Sequence, residues 1–597
     1  MTIPWLTAGG RHLVFGFRLT RLPVVMALLV GTVSLVVFVY ALRYMKSDAR
    51  AGRFFAILTL FVAAMLALVL SADLVTLFMA WEVVGICSYL LIGFWFEKPE
   101  IPPAATIAFV TTRVGDAALL AGFLLLIVAS GSSDIDTVLA MSNHLPHSTV
   151  ITATFLIFIG AASKSAQIPF QSWLPDAMVG PTPVSALLHS ATMVAAGVFL
   201  VARLYPLFAV APAVLTVMAW TGALSALYGG VAALVAKDLK RALAYSTISQ
   251  LGLMYAGLGS GSLFAGVVLL IAQAFYKATL FLSAGVVDHV AGGTDLEGMG
   301  GLRRATPITF VAFAISAAAL AGLPVTLALP AKDATLAAAW HLSKPLFFIV
   351  IAASLLTALY SARLLAVVFL GDRRGEPRSS EDRGLALPAM VLAIITIAGL
   401  AIDSPLLGRP LEKLLGVKTM ESGGITLVAI AIAAAGFSLG LIAQRRWSGR
   451  VVWPPMDAIA RAAGYEFGLR PATMAVASVT VAGTRVIGWF DSHAIDSLPV
   501  RVAVALRSAA RRAAAVDRAV FDRAADLAAA VALKLVRATR SFDLRAIDEL
   551  VHRFGEVTLR AGDSLRKLQT GRIENYLLMI YAWFFAVVVT MVLVMVL

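Results

Sequence analysis

Glu82 is the only charged residue in the apolar run Val75–Phe96, and Lys277 is the only one in Gly266–Val287. A charge held in hydrocarbon costs several kcal/mol unless it is paired or hydrated, so such residues mark ion pathways and proton relays. Arg113 and Asp116 stand three residues apart in Ala104–Ser130, which puts them on one helix face and lets them pair. Lys164 lies near the end of Ile151–Ala166, and Lys332 and Asp333 close the proline-broken stretch GLPVTLALPAKD. A lysine in a low-dielectric site can gain or lose a proton, and a nearby carboxylate changes how tightly it holds one. Varying the lysine–carboxylate distance would therefore load and unload the proton.

Plainer readings stand beside these. Lysines near helix ends often snorkel to the interface, an alternative open to Lys164. Lys277 is about 15 Å of helix from either end of its run, too far to snorkel with ease. Arg113 and Asp116 could form a purely structural pair. His189 could be a packed, hydrogen-bonded histidine, and Cys87 reads as a small buried hydrophobe.

The elements that must carry these residues are membrane helices. Of 597 residues 60% are hydrophobic and only 14% charged, and the mean hydropathy is +0.89. A soluble chain could not cover that much apolar surface. Counting apolar runs of about 20 residues gives about fourteen crossings, the first at Leu22–Tyr44 and the last at Tyr576–Leu597. The fold expected is an all-α polytopic membrane protein. The segment KSAQIPFQSWLPDAMVGPTPVSALLHSATMV, from Lys164 to Val194, carries Pro169, Pro175, Pro181 and Pro183 and cannot be one continuous helix. Pro324 and Pro330 interrupt a second segment. Broken helices at membrane depth are tolerated where they are buried or line a watery cavity, and two of them point to inverted repeats.

The formal charge of +14 follows topology rather than nucleic acid. The loop Arg43–Arg53 holds four Lys/Arg and Gly131–Thr149 holds none, which puts Arg43–Arg53 on the cytoplasmic side. The first apolar run is longer than a signal-peptide core and is expected to be a retained helix. With Cys87 the only cysteine, and with neither a GxGxxG after a strand nor a P-loop, no redox cofactor or metal is expected on this chain.

From Val500 to Leu568 there is no proline, and arginines recur among Ala, Leu and Val. A continuous helix there would reach about 100 Å. It reads as an amphipathic helix lying along the membrane, or as a solvated coiled coil or several short helices. FDSHAIDSL, FDRAADLAA and FDLRAIDEL, starting at Phe490, Phe521 and Phe542, form a weak repeat that begins before this stretch and continues through it.

The blocks WEVVGICSYLLIGFWFEKP, TTRVGD, the long segment around Lys164, KDLKRALAYSTISQLG and AFYKATLFLSAGVV resemble the antiporter-like subunits of proton-pumping NADH:quinone oxidoreductase, respiratory complex I, and most of all its subunit L branch. The likeness covers Phe15–Leu370 and resumes at LRKLQTGRIENYLL; Mrp-type antiporters and membrane-bound hydrogenases share much of this core. The resemblance implies two inverted antiporter-like repeats, a lateral helix and an anchor helix. It implies N-terminal helices over 1–103, a proton-translocating core over 104–370, further helices and a connecting segment over 371–490, the lateral helix over 491–575 and the anchor over 576–597. It also implies a proton relay through Glu82, Lys164, Lys240, Lys277 and Lys332. Glu82 would pair with Lys164, and Arg113, Asp116, His189, Gln273 and Asp333 would modulate the relay. NADH, FMN, iron–sulfur clusters and quinone would sit on partner subunits. The partners would be other membrane subunits and the bilayer, and the location a bacterial inner membrane.

The chain departs from the family pattern at three places. The two helices usual in the family before the region near Phe15 are expected to be absent, Leu269 and Gln273 stand where histidines are usual, and VTLALPAKD lacks the usual aromatic and serine before Lys332. Three functions follow from the resemblance: a proton-translocating complex-I-type subunit, a subunit of a Mrp-type antiporter, hydrogenase or inorganic-carbon uptake complex, or a non-pumping scaffold.

Overall fold

The computed structural model describes residues 2–8, 11–402 except 325 and 373, 423–464 except 448 and 449, and helical stretches at 502–512, 529 and 531–536. The chain divides into two compact units, Met1–Phe467 with Glu574–Leu597, and Gly468–Ile573.

The first unit opens on a hairpin, β1 (Thr2–Ala8) antiparallel to β2 (Arg11–Gly16), which corrects the all-α expectation for this end. Two short segments split by a Gly-Gly dipeptide are a hairpin signal that counting 20-residue apolar runs does not register. Helices follow: α1 (Arg21–Tyr44), α2 (Ala51–Leu70), α3 (Leu74–Ile92), α4 (Ile101–Ser130), α5 (Ile135–Ala140), α6 (His147–Lys164), α7 (Trp173–Asp176), α8 (Thr182–Leu188), α9 (Met193–Arg203), α10 (Tyr205–Ala209), α11 (Pro212–Val235), α12 (Leu239–Gly259), α13 (Leu263–Ala291), α14 (Pro307–Ala321), α15 (Ala328–Leu342), α16 (Lys344–Phe369), α17 (Arg383–Ile402), α18 (Gly423–Arg446) and α19 (Asp457–Gly464). Among the described residues nine helices, α8 and α9 counted as one, are long and apolar enough to cross a bilayer. This is a multi-pass membrane protein.

Both proline-rich segments break as the sequence requires. Between α6 and α8 the chain makes only the four-residue α7 and one 3₁₀ turn, and it is interrupted again at His189 before α9. The run Pro183–Tyr205 is therefore not one straight crossing. Between α14 and α15 the break spans Gly322–Leu327; Pro330 is the third residue of α15, where its missing N–H leaves no bond unmade. At the centre stands α12, buried along nearly its whole length although it carries Ser246, Thr247, Ser249 and Gln250. Buried hydroxyls and amides there must find partners inside the protein, and α12 packs on α11, α13 and α16.

In the second unit the described stretches are helical, with Val502, Val504, Leu506, Val531 and Leu533 exposed. The rest of the expected lateral helix 491–575 and the anchor Tyr576–Leu597 lie outside the described residues.

Candidate functional site

The first group is four charges of alternating sign on α3, α4 and α6. Glu82 is in contact with Arg113 through its carboxylate, and its backbone carbonyl accepts from Arg113 Nη2 at 3.3 Å. Arg113 Nη1 stands 3.6 Å from Asp116 Oδ2, and the guanidinium lies over the Phe109 ring. Asp116 Oδ2 is 3.4 Å from Lys164 Nζ, and its other oxygen accepts from Trp81 Nε1 at 2.5 Å. Lys164, fully buried as the last residue of α6, also donates to the Trp81 carbonyl and faces the Trp81 ring. Gly85 makes room: a Cβ there would run into Arg113 and sit 3.2 Å from Lys164 Nζ. The expected direct Glu82–Lys164 pair is corrected. Among the described residues they form no ion pair, because Arg113 reaches Glu82 and leaves Asp116 to the lysine.

The second group surrounds α12 and α13. Lys240 Nζ faces Asp288 Oδ2 at 3.4 Å. Lys277, fully buried, donates to Ser246 Oγ, whose own proton goes to the Leu243 carbonyl. Nearby, Tyr276 donates to Gln250 Oε1 and Gln250 Nε2 donates to Thr357 Oγ1, at 3.3 and 3.2 Å. Gln273 and His189 are fully buried, and their side-chain polar atoms have no hydrogen-bond partner among the described residues. His189 lies between the rings of Trp173 and Phe281, so it is packed as expected without being hydrogen-bonded. Leu269 is plain core.

The third group sits at the second break. Lys332 Nζ donates to the Leu320 carbonyl at 2.5 Å. That carbonyl is in the last turn of α14, where intrahelical donors run out. A cavity of about 10 Å³ beside Lys332, lined by Gly322, Ser354 and Ala433, is near the size of one water. Asp333 turns toward α18, accepting from Thr426 Oγ1 at 2.7 Å.

Every lysine singled out in the sequence is buried, and each touches a polar group on another helix. The sequence reading missed Asp288, Ser246, Gln250 and Arg363. Asp288 lies one residue beyond the apolar run counted for α13, and serines carry no hydropathy signal. Arg363, fully buried in α16, donates to the carbonyls of Val451, Ala233 and Ala236.

Residues 71–357 match the family model described as NADH:quinone oxidoreductase/Mrp antiporter, transmembrane, and residues 5–55 match that of the complex I chain 5 N-terminus. The chain is 36% identical to the NAD(P)H-quinone oxidoreductase chain 5 of a Picosynechococcus species, across 97% of this chain and 87% of that protein. The chain belongs to the NAD(P)H-quinone oxidoreductase chain 5 family. Across this family it is also 37% identical to F(420)H(2) dehydrogenase subunit L of Methanosarcina mazei, over 93% of this chain and 84% of that one. Among solved structures it resembles the Mrp complex from a Dietzia species with a TM-score of 0.69 and 28% identity, covering 86% of this chain and 57% of that one. A likeness in fold alone extends to an archaeal membrane-bound sulfane sulfur reductase, with a TM-score of 0.59 and 22% identity over 73% of this chain and 86% of that one.

Proposed function

We propose that this chain is a proton-translocating membrane subunit of a complex-I-type NADH:quinone oxidoreductase. The observation that carries this is the series of buried lysines, Lys164, Lys240, Lys277 and Lys332, each held by a polar group on a neighbouring helix. Glu82, Arg113 and Asp116 load the first lysine, Lys240 and Lys277 carry charge through the centre, and Lys332 with Asp333 forms the far end. His189 and Gln273, each lacking a protein partner, are suited to hold relay waters.

The chain moves protons while partner subunits hold NADH, FMN, iron–sulfur clusters and quinone. The core 104–370 carries two inverted repeats, broken at α6–α8 and α14–α15. The full chain makes about fourteen crossings; the 491–575 arm lies along the membrane, and 576–597 anchors it in a bacterial inner membrane. A neighbouring subunit covers α3 and α4. Glu82 and Arg113 are each about a quarter exposed there, among exposed Met79, Ile86, Val110 and Val114. An ion pair open to lipid would be costly.

The likeness to the Mrp complex favours a second reading, a cation/proton antiporter subunit. Purifying the native complex and identifying its subunits separates the two. Flavin and iron–sulfur subunits support the first reading, and their absence from an active complex rejects it.

A further inference from the structure

Where α6 ends beside Lys164, two buried hydroxyls meet. Ser165 Oγ lies 2.9 Å from Tyr255 OH of α12 and 2.7 Å from the Val194 carbonyl of α9. Tyr255 OH lies 3.1 Å from the Ala161 carbonyl of α6. Three contacts are thus shared by two hydroxyl protons. Either the phenol donates to Ser165 and Ser165 donates to Val194, or Ser165 donates to the phenol and the phenol donates to Ala161. The first state fastens the end of α6 to both α9 and α12, and the second fastens it to α12 alone. Switching takes two O–H rotations, which make or release the Val194 bond that ties the end of α6 to α9. It leaves the Ala161 carbonyl satisfied in both states, because that oxygen also accepts from Ser165 N at 3.0 Å.

Two further observations show that the site is built for the pair. Gly197 of α9 faces it, and a Cβ there would collide with the Ala161 carbonyl, Ser165 Oγ and Tyr255 OH together. Phe158 packs against the Tyr255 ring at 5.8 Å and fixes the phenol's aim. Ala166, the next residue, has a φ of 51°, in the left-handed region uncommon for a side chain bearing a Cβ. The lysine-bearing end of α6 is therefore held by these bonds at the point where helical support stops.

We propose that Ser165 and Tyr255 are positioning residues of the relay, a two-state hydroxyl latch that sets where Lys164 stands relative to Asp116. This rests on the proton-relay reading above. One latch bond is worth about 0.5–1.5 kcal/mol, so its loss should change the relay by about 2- to 10-fold.

The test uses inverted membrane vesicles carrying the whole complex, driven by NADH and a short-chain quinone. Proton uptake is measured against NADH oxidised for Tyr255→Phe, Ser165→Ala, Ser165→Thr, Tyr255→Phe/Ser165→Ala and Lys164→Ala. The latch predicts a 2- to 10-fold fall in protons per NADH for Tyr255→Phe and for Ser165→Ala. It also predicts no further fall in the double variant and rescue by Ser165→Thr, which keeps the hydroxyl. If Tyr255→Phe assembles poorly, Ser165→Ala against Ser165→Thr decides. Native ratios in the hydroxyl variants with loss in Lys164→Ala would overturn the latch and leave the relay standing. Equal loss in Ser165→Thr and Ser165→Ala would make the site structural and also overturn it. A native ratio in Lys164→Ala would remove the relay reading and the latch with it.

Discussion

Lys164 Nζ, fully buried, stands 3.4 Å from Asp116 Oδ2, and Asp116 is in turn 3.6 Å from Arg113. One carboxylate thus lies between two cations, and the other, Glu82, lies at the outer side of Arg113. A small shift of Arg113 toward Glu82 or toward Asp116 changes how much negative charge Lys164 feels, and so how tightly it holds its proton.

Replacing Asp116 should therefore do more harm than replacing Glu82. Asp116→Asn leaves Lys164 buried without an ionic partner, a change costing about 3–5 kcal/mol in comparable buried pairs. Proton uptake in vesicles should fall to the level of Lys164→Ala, whereas Glu82→Gln should give a partial loss. Equal uptake in Asp116→Asn and the native complex would refute this order.

Gln273 can donate and accept but cannot carry charge. It is one turn from Lys277 on α13, with its amide unpartnered among the described residues. Gln273→His should preserve or raise the protons moved per NADH. A marked loss would show that the uncharged amide is itself required.

Arg363 should matter to assembly rather than to proton transfer. Its guanidinium ties α16 to the Ala233 and Ala236 carbonyls at the end of α11 and to Val451. Arg363→Ala strips several charge-assisted bonds, each worth about 1.5–3 kcal/mol. The detergent-solubilised complex should lose thermal stability, and Arg363→Lys, which lacks the planar fork, should recover only part of it. Unchanged melting of both variants would contradict this role.

The arm yields a separate prediction. Cutting after Pro499 removes the arm and the last apolar run while leaving the helices through α19 in place. The truncated subunit should insert but associate poorly with its neighbours on a native gel. A full-size complex at native yield would show the arm to be dispensable.

The membrane class and the two helix breaks were legible because hydropathy and proline act locally. Lys164, Lys277 and Lys332 were legible for the same reason, since a charge stands out in or beside an apolar run, whereas Lys240 entered only through the family resemblance. Their partners were not. Asp116 and Glu82 are both carboxylates near Lys164, and only the packing of α3, α4 and α6 decides that Arg113 takes one and the lysine the other. Ser246, Ser165 and Tyr255 act through contacts between helices far apart in sequence, and serine and tyrosine are ordinary residues for such helices. Arg363 lay in plain view inside the run Leu346–Leu370, yet its partners are backbone carbonyls, which no side-chain pattern encodes. The hairpin at Thr2–Gly16 was overlooked because a count of long apolar runs does not see two short strands joined at Gly9–Gly10.

The central claim is that protons cross through the buried lysines, and Lys277 tests it most directly, since among the described residues it has no ionic partner and its contact is the Ser246 hydroxyl. The measurement is proton uptake by inverted vesicles carrying the assembled complex with Lys277→Ala, taken alongside NADH oxidation. The relay predicts that uptake falls sharply while the complex remains assembled. Uptake per NADH equal to that of the native complex would contradict it and leave the chain a scaffold.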